Sequence, residues 1–531
     1  MAGGNGGSPA AQAIPSRARE GWRIGPVRIK NKPQLFIDSF VIGIIGGLSA
    51  QLFMWMLRLS THFFLGWMAG YYAPGLPVEG HSLHEVIGPH GLWLVPLVTT
   101  LGGLLSGILV YSLAPEAEGH GTDTAVKAVH WHEGEIRARV APIKMIASAI
   151  TIGSGGSAGR EGPTALISAG FGSIYADLLH RSERDRRILV LMGMAAGLSA
   201  IFRSPIGTAL FAVEVLYGGV EFEAEPLLYC LLASVVAYAV NGVFSGWHSL
   251  FQVSPSIGMR GVADYGWYAL LGLASGVAGT ILPEIFYRTR DAFHALPFPN
   301  WIKPAIGGLL LGLLALAVPQ VLGGGYGWIQ EAINGQLALR LMLILLVAKM
   351  VAMAFTVSSG GSGGVFAPSL FVGCMLGGVF ASLTHDPSAG MVIVGMAAVF
   401  AGAARVPIAT LLMVAEMTGG YQLLVPAGLA VTLSFLVQTN LSRFFKYGSL
   451  YEGQVHGRLD SPAHRGERIQ MLMRLLGQDK DALPPEVVAA WKAAYEGSAD
   501  GASSSDARGD SSNGSSGRKE KAPNDMENVK R

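Results

Sequence analysis

Apolar runs long enough to cross a bilayer, about 20 residues, fall at 35–56, 92–113, 267–288, 302–322 and 339–357. Shorter ones occupy 164–179, 188–201, 206–217, 227–241, 364–384, 390–400, 407–418 and 424–439. Many are separated by Gly-rich or Pro-containing breaks rather than by polar loops. The pattern predicts helices throughout, several of which stop inside the membrane. Such ends are tolerated only where backbone is buried in protein or lines a wet cavity. A simple bundle of spanning helices would not be written this way.

The flanks differ. Residues 1–34 carry Arg17, Arg19, Arg23, Arg28, Lys30 and Lys32 against the single acid Glu20, and such a basic leader is expected to stay in the cytoplasm. The expected organisation is therefore a basic cytoplasmic segment (1–34), a transmembrane domain (35–451), a short cytoplasmic helical segment (452–496) and a disordered polar tail (497–531). Within the third, 466–496 is expected to form one or two amphipathic helices, and the Ser/Gly-rich tail lacks the apolar residues to build a core.

Composition narrows the class. The chain of 531 residues is 50% hydrophobic and only 14% charged, where a soluble domain averages about 25% charged. A secreted soluble enzyme, a nucleic-acid binder and a disordered protein are excluded, and an all-α polytopic membrane protein is predicted. Cys230 and Cys374 sit in apolar segments, so no disulfide framework is expected. A cleavable leader is not visible, which fits a bacterial inner membrane.

The chain holds 72 glycines, roughly twice the usual share. Most suit close helix packing, but two clusters match each other. Gly155-Gly156-Ser157-Ala158-Gly159-Arg160-Glu161-Gly162-Pro163 recurs as Gly360-Gly361-Ser362-Gly363-Gly364-Val365-Phe366-Ala367-Pro368. Further on, Arg203, Pro205, Ile206, Thr208, Leu210 and Glu214 reappear at nearly the same offset as Arg405, Pro407, Ile408, Thr410, Leu412 and Glu416. The transmembrane region is thus read as an internal duplication, about 35–240 and 265–451. Transporters built from repeats place substrate where broken helices of both halves meet. Periodicity alone leaves parallel and inverted repeats open.

A helix N-terminus carries roughly half a positive charge and free N–H groups, and attracts anions. A full unit charge 4 Å from an anion is worth about 4 kcal/mol at an effective dielectric near 20, so a half charge is worth about half that. That is strong enough to admit an anion and weak enough to release it, as conduction requires. Pro163 and Pro368 suit a first helical turn, so both clusters fit as anion-facing helix starts. The same Gly155–Gly159 and Gly360–Gly364 stretches also match the G-x-S-x-G elbow of hydrolases. That alternative needs a base near Ser157 or Ser362; candidates exist among the thirteen histidines, but nothing in the sequence places one there. Glu161 is a carboxylate at membrane depth and by default functional. Ionised, it would occupy the anion's place, and protonated it would leave. Its alternative role is an ion pair with Arg160.

At these residues the sequence resembles the CLC family of chloride channels and chloride/proton antiporters. The likeness runs from about Leu35 to Tyr451. Its most specific piece is Gly159-Arg160-Glu161-Gly162-Pro163, and the family's G-x-F-x-P motif stands as Gly364-Val365-Phe366-Ala367-Pro368. Glu416-Met417-Thr418-Gly419-Gly420-Tyr421 with Pro426, and Gly448-Ser449-Leu450-Tyr451, are similar to two later family segments. The resemblance implies a CLC-type inverted repeat with many broken, tilted helices. It also implies a homodimer with one pathway for chloride or a similar small anion per subunit, and cytoplasmic termini. By position it makes Glu161 the gate. Backbone at Arg160 and Gly162 would line an outer anion site, while amides of Val365 and Phe366, with the Tyr451 hydroxyl, would hold a central anion.

Two departures stand out. The family's first motif, G-S-G-I-P, here reads Gly119-His120-Gly121-Thr122-Asp123, so His120 replaces an anion-binding serine. Its imidazole either donates to the anion or turns away to hydrogen-bond backbone. The internal glutamate that passes protons in family antiporters is replaced by Val215, directly after Glu214. Adjacent helical residues point about 100° apart, so Glu214 is a poor substitute. A channel is favoured, with a proton-coupled antiporter using water as the alternative.

Other features are weaker. His130-Trp131-His132-Glu133 lacks a complete metal ligand set, so a polar helix end is expected there. Arg137, Arg139 and Lys144 are expected on a cytoplasmic membrane-surface face. The residues after Tyr451 are too few for the paired nucleotide-binding modules of some relatives. No catalytic residue, cofactor or nucleic-acid partner is expected.

Overall fold

The computed structural model describes residues 33–254, 258, 261–384 and 389–464. The basic leader, the amphipathic helices expected within 466–496 and the polar tail lie outside them. Sixteen α-helices fall in two sets of eight. The first is α1 (Pro33–Thr61), α2 (Val95–Leu113), α3 (Thr122–Trp131), α4 (Val140–Gly153), α5 (Glu161–Leu178), α6 (Glu183–Phe202), α7 (Pro205–Glu214) and α8 (Ala224–Ser245). The second is α9 (Asp264–Ala295), α10 (Lys303–Ala317), α11 (Tyr326–Ile333), α12 (Leu339–Val357), α13 (Phe366–Leu383), α14 (Gly390–Ala404), α15 (Pro407–Thr418) and α16 (Leu424–Leu441). Each helix of the first set has its counterpart eight places on. A two-stranded ribbon, Tyr71–Tyr72 against Val86–Ile87, sits in the α1–α2 connection.

Seven helical segments among the described residues are long and apolar enough to cross a membrane, and five more are apolar but shorter. The protein is a multi-pass membrane protein whose helices are often broken. Two expectations shift. The run at 302–322 is a 15-residue helix, α10, followed by a turn at Pro319–Val321, because Pro319 cannot continue the helix and Val318 is extended. The run at 227–241 lengthens to 22 residues in α8.

The halves meet through matching pairs. Helices α2 and α10 pack together, and a Cβ on Gly103 would lie 2.2 Å from the Pro304 carbonyl oxygen, one on Gly308 2.3 Å from that of Thr99. Only hydrogen at these positions permits the approach. Helices α7 and α15 also pack together and cap each other. The Ile408 and Ala409 N–H groups donate to the Glu214 carboxylate at 3.0 and 2.6 Å. Those of Ile206 and Gly207 donate to Glu416 at 3.2 and 2.9 Å. Each acid satisfies orphan donors at the partner helix's start.

Glu214 is 2% exposed, so truncation strands the buried Ala409 N–H and the partly buried one of Ile408. At about 1.5–3 kcal/mol for a hydrogen bond to a charged group, Glu214→Ala is expected to lower stability by about 3 kcal/mol. Thermal unfolding in detergent checks this, and an unchanged midpoint would contradict the reciprocal cap.

The α6–α7 and α14–α15 breaks are built alike. Each helix ends on an arginine in the left-handed region, Arg203 (φ 56°) and Arg405 (φ 57°), and the next begins with Pro205 or Pro407 in its first turn. The strained backbone is held by the side chains. Arg203 donates to the carbonyls of Ser245 and His248 at 2.9 and 2.8 Å, and Arg405 to the side chains of Gln438 and Ser442 at 3.1 and 2.8 Å.

Candidate functional site

The two glycine clusters meet at the backbone. Gly159 N–H donates to the Gly364 carbonyl and Gly364 N–H to that of Gly159, both at 2.7 Å. This reciprocal pair sets the starts of α5 and α13 side by side. The third break joins them: Gly363 N–H donates to the Gly119 carbonyl at 3.2 Å. A Cβ on Gly162 would stand 2.1 Å from the His120 carbonyl oxygen, and one on Gly121 2.7 Å from that of Gly162. Gly119, His120, Gly121, Gly162, Val365 and Phe366 are thereby gathered at one place.

Glu161 opens α5 and is 1% exposed. Its carboxylate is faced by its own N–H and by that of Ala367 in the first turn of α13. It also accepts a hydrogen bond from the Tyr326 hydroxyl. The carboxylate therefore stands where two helix N-termini converge. Arg160 is 3.9 Å from it, but its guanidinium is committed elsewhere. It donates in fork fashion to Glu79 at 2.6 and 3.1 Å and lies 4.6 Å from the Tyr326 ring centre. The expected alternative, a simple Arg160–Glu161 pair, is thus a secondary contact.

Beyond Glu161 lies an aromatic stretch. The Phe366 ring lies 4.5 Å from Phe202, 4.0 Å from Phe400 and 6.2 Å from Phe211. Phe211 is 6.5 Å from Tyr451, whose ring is 5.4 Å from His120. Tyr451 is positioned through the residue before it, because Leu450 N–H donates to the Ala403 carbonyl at 2.9 Å and the Tyr287 hydroxyl to the Leu450 carbonyl at 2.7 Å. His120 makes a backbone contact and stands beside Tyr451. Its Nδ1 accepts a long bond, 3.5 Å, from the Asp123 N–H at the start of α3, and its ring faces Tyr451. That acceptor role puts the proton of a neutral ring on Nε2, leaving a donor for another group.

Val215 is fully buried at the end of α7, its N–H bonded to the Phe211 carbonyl at 2.9 Å. Glu214 beside it is occupied in capping α15. Ser157 Oγ is buried without a hydrogen-bond partner, and Ser362 Oγ shares a 2.8 Å contact with Ser148. No base adjoins either. His130 lies at the buried end of α3, its ring nitrogens bonded to Ser461 Oγ at 2.8 Å and the Leu216 carbonyl at 2.9 Å. Cys230 and Cys374 are both free and buried.

One expectation fails outright. Arg137 is half exposed and pairs with Glu116, but Lys144 is fully buried in α4. Its ammonium donates to the carbonyls of Ala117 and Gly119 at 2.9 and 2.6 Å. Lys349 in α12 does the same to Val321 and Gly323 at 2.8 and 2.7 Å. Each lysine holds the backbone that leads into a glycine break, where no helical partner exists. Tyr326 and Glu79 were also missed. A third glycine match, Gly323-Gly324-Gly325-Tyr326 against Gly119-His120-Gly121-Thr122, would have pointed to Tyr326.

Residues 102–439 match the family model described as voltage gated chloride channel. The chain belongs to this family, the CLC proteins. Among CLC relatives it is 30% identical over 407 residues to a ClcB-like protein of Ralstonia nicotianae, covering 75% of this chain and 91% of that one. It is 29% identical over 467 residues to the H(+)/Cl(−) exchange transporter ClcA of Cronobacter sakazakii, covering 83% and 94%. The fold is similar to that of a slow cyanobacterial Cl−/H+ antiporter, with TM-score 0.69 and 22% identity over 79% of this chain and 96% of that one. It is also similar to that of a CLC-type fluoride/proton antiporter, with TM-score 0.66 and 24% identity over 80% and 98%. The CLC inverted-repeat fold expected from the sequence is therefore the fold of this chain.

Proposed function

We propose that this CLC protein moves chloride or a similar small anion across the membrane and that Glu161 gates the path. The observation that carries this is the position of the Glu161 carboxylate, buried between the starts of α5 and α13 and faced by N–H groups of both. An anion is what such a place accepts once the side chain leaves. Toward the interior, Phe366 and the Tyr451 hydroxyl, with His120 Nε2–H, form the central site. Arg160 and Gly162 contribute backbone to an outer one. The protein works as a homodimer with a pathway in each subunit, in a bacterial inner membrane, with its basic leader and C-terminal segment in the cytoplasm.

Passive conduction is favoured, because Val215 carries no proton and Glu214 is tied to α15. Proton-coupled exchange is the second reading, favoured by the names of ClcA and of the two solved antiporters. Chloride release from liposomes, recorded together with external pH, separates them. Chloride efflux driven with valinomycin and without proton uptake is the expected result. Proton movement in fixed ratio to chloride would make the protein an exchanger with an inner proton route that bypasses Val215.

A further inference from the structure

We propose that Tyr326 is the latch of this gate: its hydroxyl holds the Glu161 carboxylate in the anion path, and Glu79 fixes the latch through Arg160. This rests on the reading of Glu161 as the gate. Tyr326 opens α11 immediately after three glycines, and Gly325 takes φ 80° there. A Cβ on Gly325 would lie 2.6 Å from the Phe371 ring, so the glycine is needed to bring the turn this close. The phenol donates to Glu161 Oε1. Its ring is stacked 5.9 Å from Phe251 and sits under the Arg160 guanidinium. Rotation of the phenol away from the carboxylate would break both contacts.

Glu79 completes the arrangement. It ends a turn at Pro77–Glu79 in the α1–α2 connection, far in sequence from α5, and binds both terminal nitrogens of Arg160. Fork pairing fixes the guanidinium plane as well as its charge, so Arg160 is held over the Tyr326 ring instead of closing on Glu161. Outside this group lies a cavity of about 380 Å³, lined in part by Arg58, His62, Glu79, His81, Arg160 and Tyr326. An anion arriving from the cavity reaches Arg160 and Tyr326 before it reaches Glu161. The charged groups around the gate carboxylate are Arg160 and, through it, Glu79, with Arg58 of α1 and Arg203 at the end of α6 within electrostatic reach of that pair.

The pseudo-symmetry gives the latch a counterpart. Thr122 opens α3 as Tyr326 opens α11, and the Thr122 side chain faces the Tyr451 hydroxyl. In each half the first residue of a short helix thus stands beside a group of the path, Tyr451 for Thr122 and the titratable gate for Tyr326. Tyr326 is therefore a positioning residue: it acts on anion movement through Glu161 and contributes nothing once that carboxylate is gone.

Chloride release from liposomes containing the full chain tests this, comparing wild type, Tyr326→Phe, Glu161→Ala and the double variant at pH 7.0 and pH 4.5. Phenylalanine keeps the ring contacts with Phe251 and Arg160 and removes only the donor. The expected result is release about tenfold faster at pH 7.0 for Tyr326→Phe, equivalent to about 1.4 kcal/mol, with a smaller gain at pH 4.5, where more of the gate carboxylate binds a proton than at pH 7.0. The double variant should match Glu161→Ala. Wild-type rates in Tyr326→Phe, or the same gain in the Glu161→Ala background, would overturn the latch while leaving the gate standing. Absence of chloride release from all four proteins, Glu161→Ala included, would overturn the gate itself and the latch with it.

Discussion

Replacing Glu161 by alanine is expected to leave a protein that releases chloride at a rate nearly independent of pH between 4.5 and 7.5, and faster than wild type at the upper end. The wild-type carboxylate is the occupant of the converging helix starts, faced by its own N–H and that of Ala367 and held by the Tyr326 hydroxyl, while its Oε2 has no hydrogen-bond partner. An anion must displace it to pass. At neutral pH an ionised carboxylate competes directly with chloride for those donors, and protonation removes the competitor. With alanine there the donors remain and the competitor does not, so the pH dependence should disappear. Helix-end donors number the same in both proteins, so selectivity among small anions should change little. Measured efflux from liposomes at several pH values decides the matter. A Glu161→Ala protein that folds, is dimeric and shows wild-type pH dependence would mean that another group gates the path.

The second large effect is expected at Lys144. Methionine in its place keeps most of the side-chain volume but removes the ammonium from the carbonyls of Ala117 and Gly119, which keep only the Ser362 hydroxyl and the Gly363 N–H. Each lost hydrogen bond to a charged group is worth about 1.5–3 kcal/mol, so Lys144→Met should lose about 3 kcal/mol. Lys349→Met should lose a similar amount at Val321 and Gly323. The two losses should add, since the lysines serve different breaks. Thermal unfolding of the three variants in detergent is the check, and wild-type midpoints would show that water or neighbouring backbone replaces the ammonium. Because Lys144 anchors the strand leading into Gly119-His120-Gly121, its loss should also weaken anion binding at the central site.

These lysines mark where the sequence stopped being legible. The glycine clusters, their recurrence and the arginine-to-glutamate match after them announced the duplication and the broken helices, because small residues and helix breakers act locally. Helix α4 went unread for the opposite reason. Lys144 interrupts its apolar run, and in a one-dimensional pattern a lysine beside Arg137 and Arg139 reads as a surface face. Only the fold brings the ends of the preceding turn, Ala117 and Gly119, up against α4 so that a buried ammonium has two carbonyls to satisfy it. Tyr326 was hidden likewise. Its partner Glu161 is remote in sequence, and a tyrosine after glycines looks like an ordinary turn residue.

The functional residues divide along the same line. That Gly119, Gly121, Gly162, Val365 and Phe366 lie together is legible because motif and backbone geometry coincide. His120 could be named but not assigned, since whether its ring faced the path or backbone depended on Tyr451 and Asp123. The structure bonds its Nδ1 to the Asp123 N–H and sets its ring beside Tyr451. Glu214 was set aside on helical geometry alone, and its commitment to the start of α15 supplies the reason it is kept beside Val215.

The most direct measurement is a bromide-soaked crystal of Glu161→Ala, with anomalous density collected at the bromine edge. Two peaks per subunit are expected. One lies where the Glu161 carboxylate stands, within hydrogen-bond reach of the Ala367 N–H. The other lies beside the Tyr451 hydroxyl, Phe366 and His120. Density at neither place, in a protein whose helix starts remain as described, would contradict an anion path through the converging ends of α5 and α13.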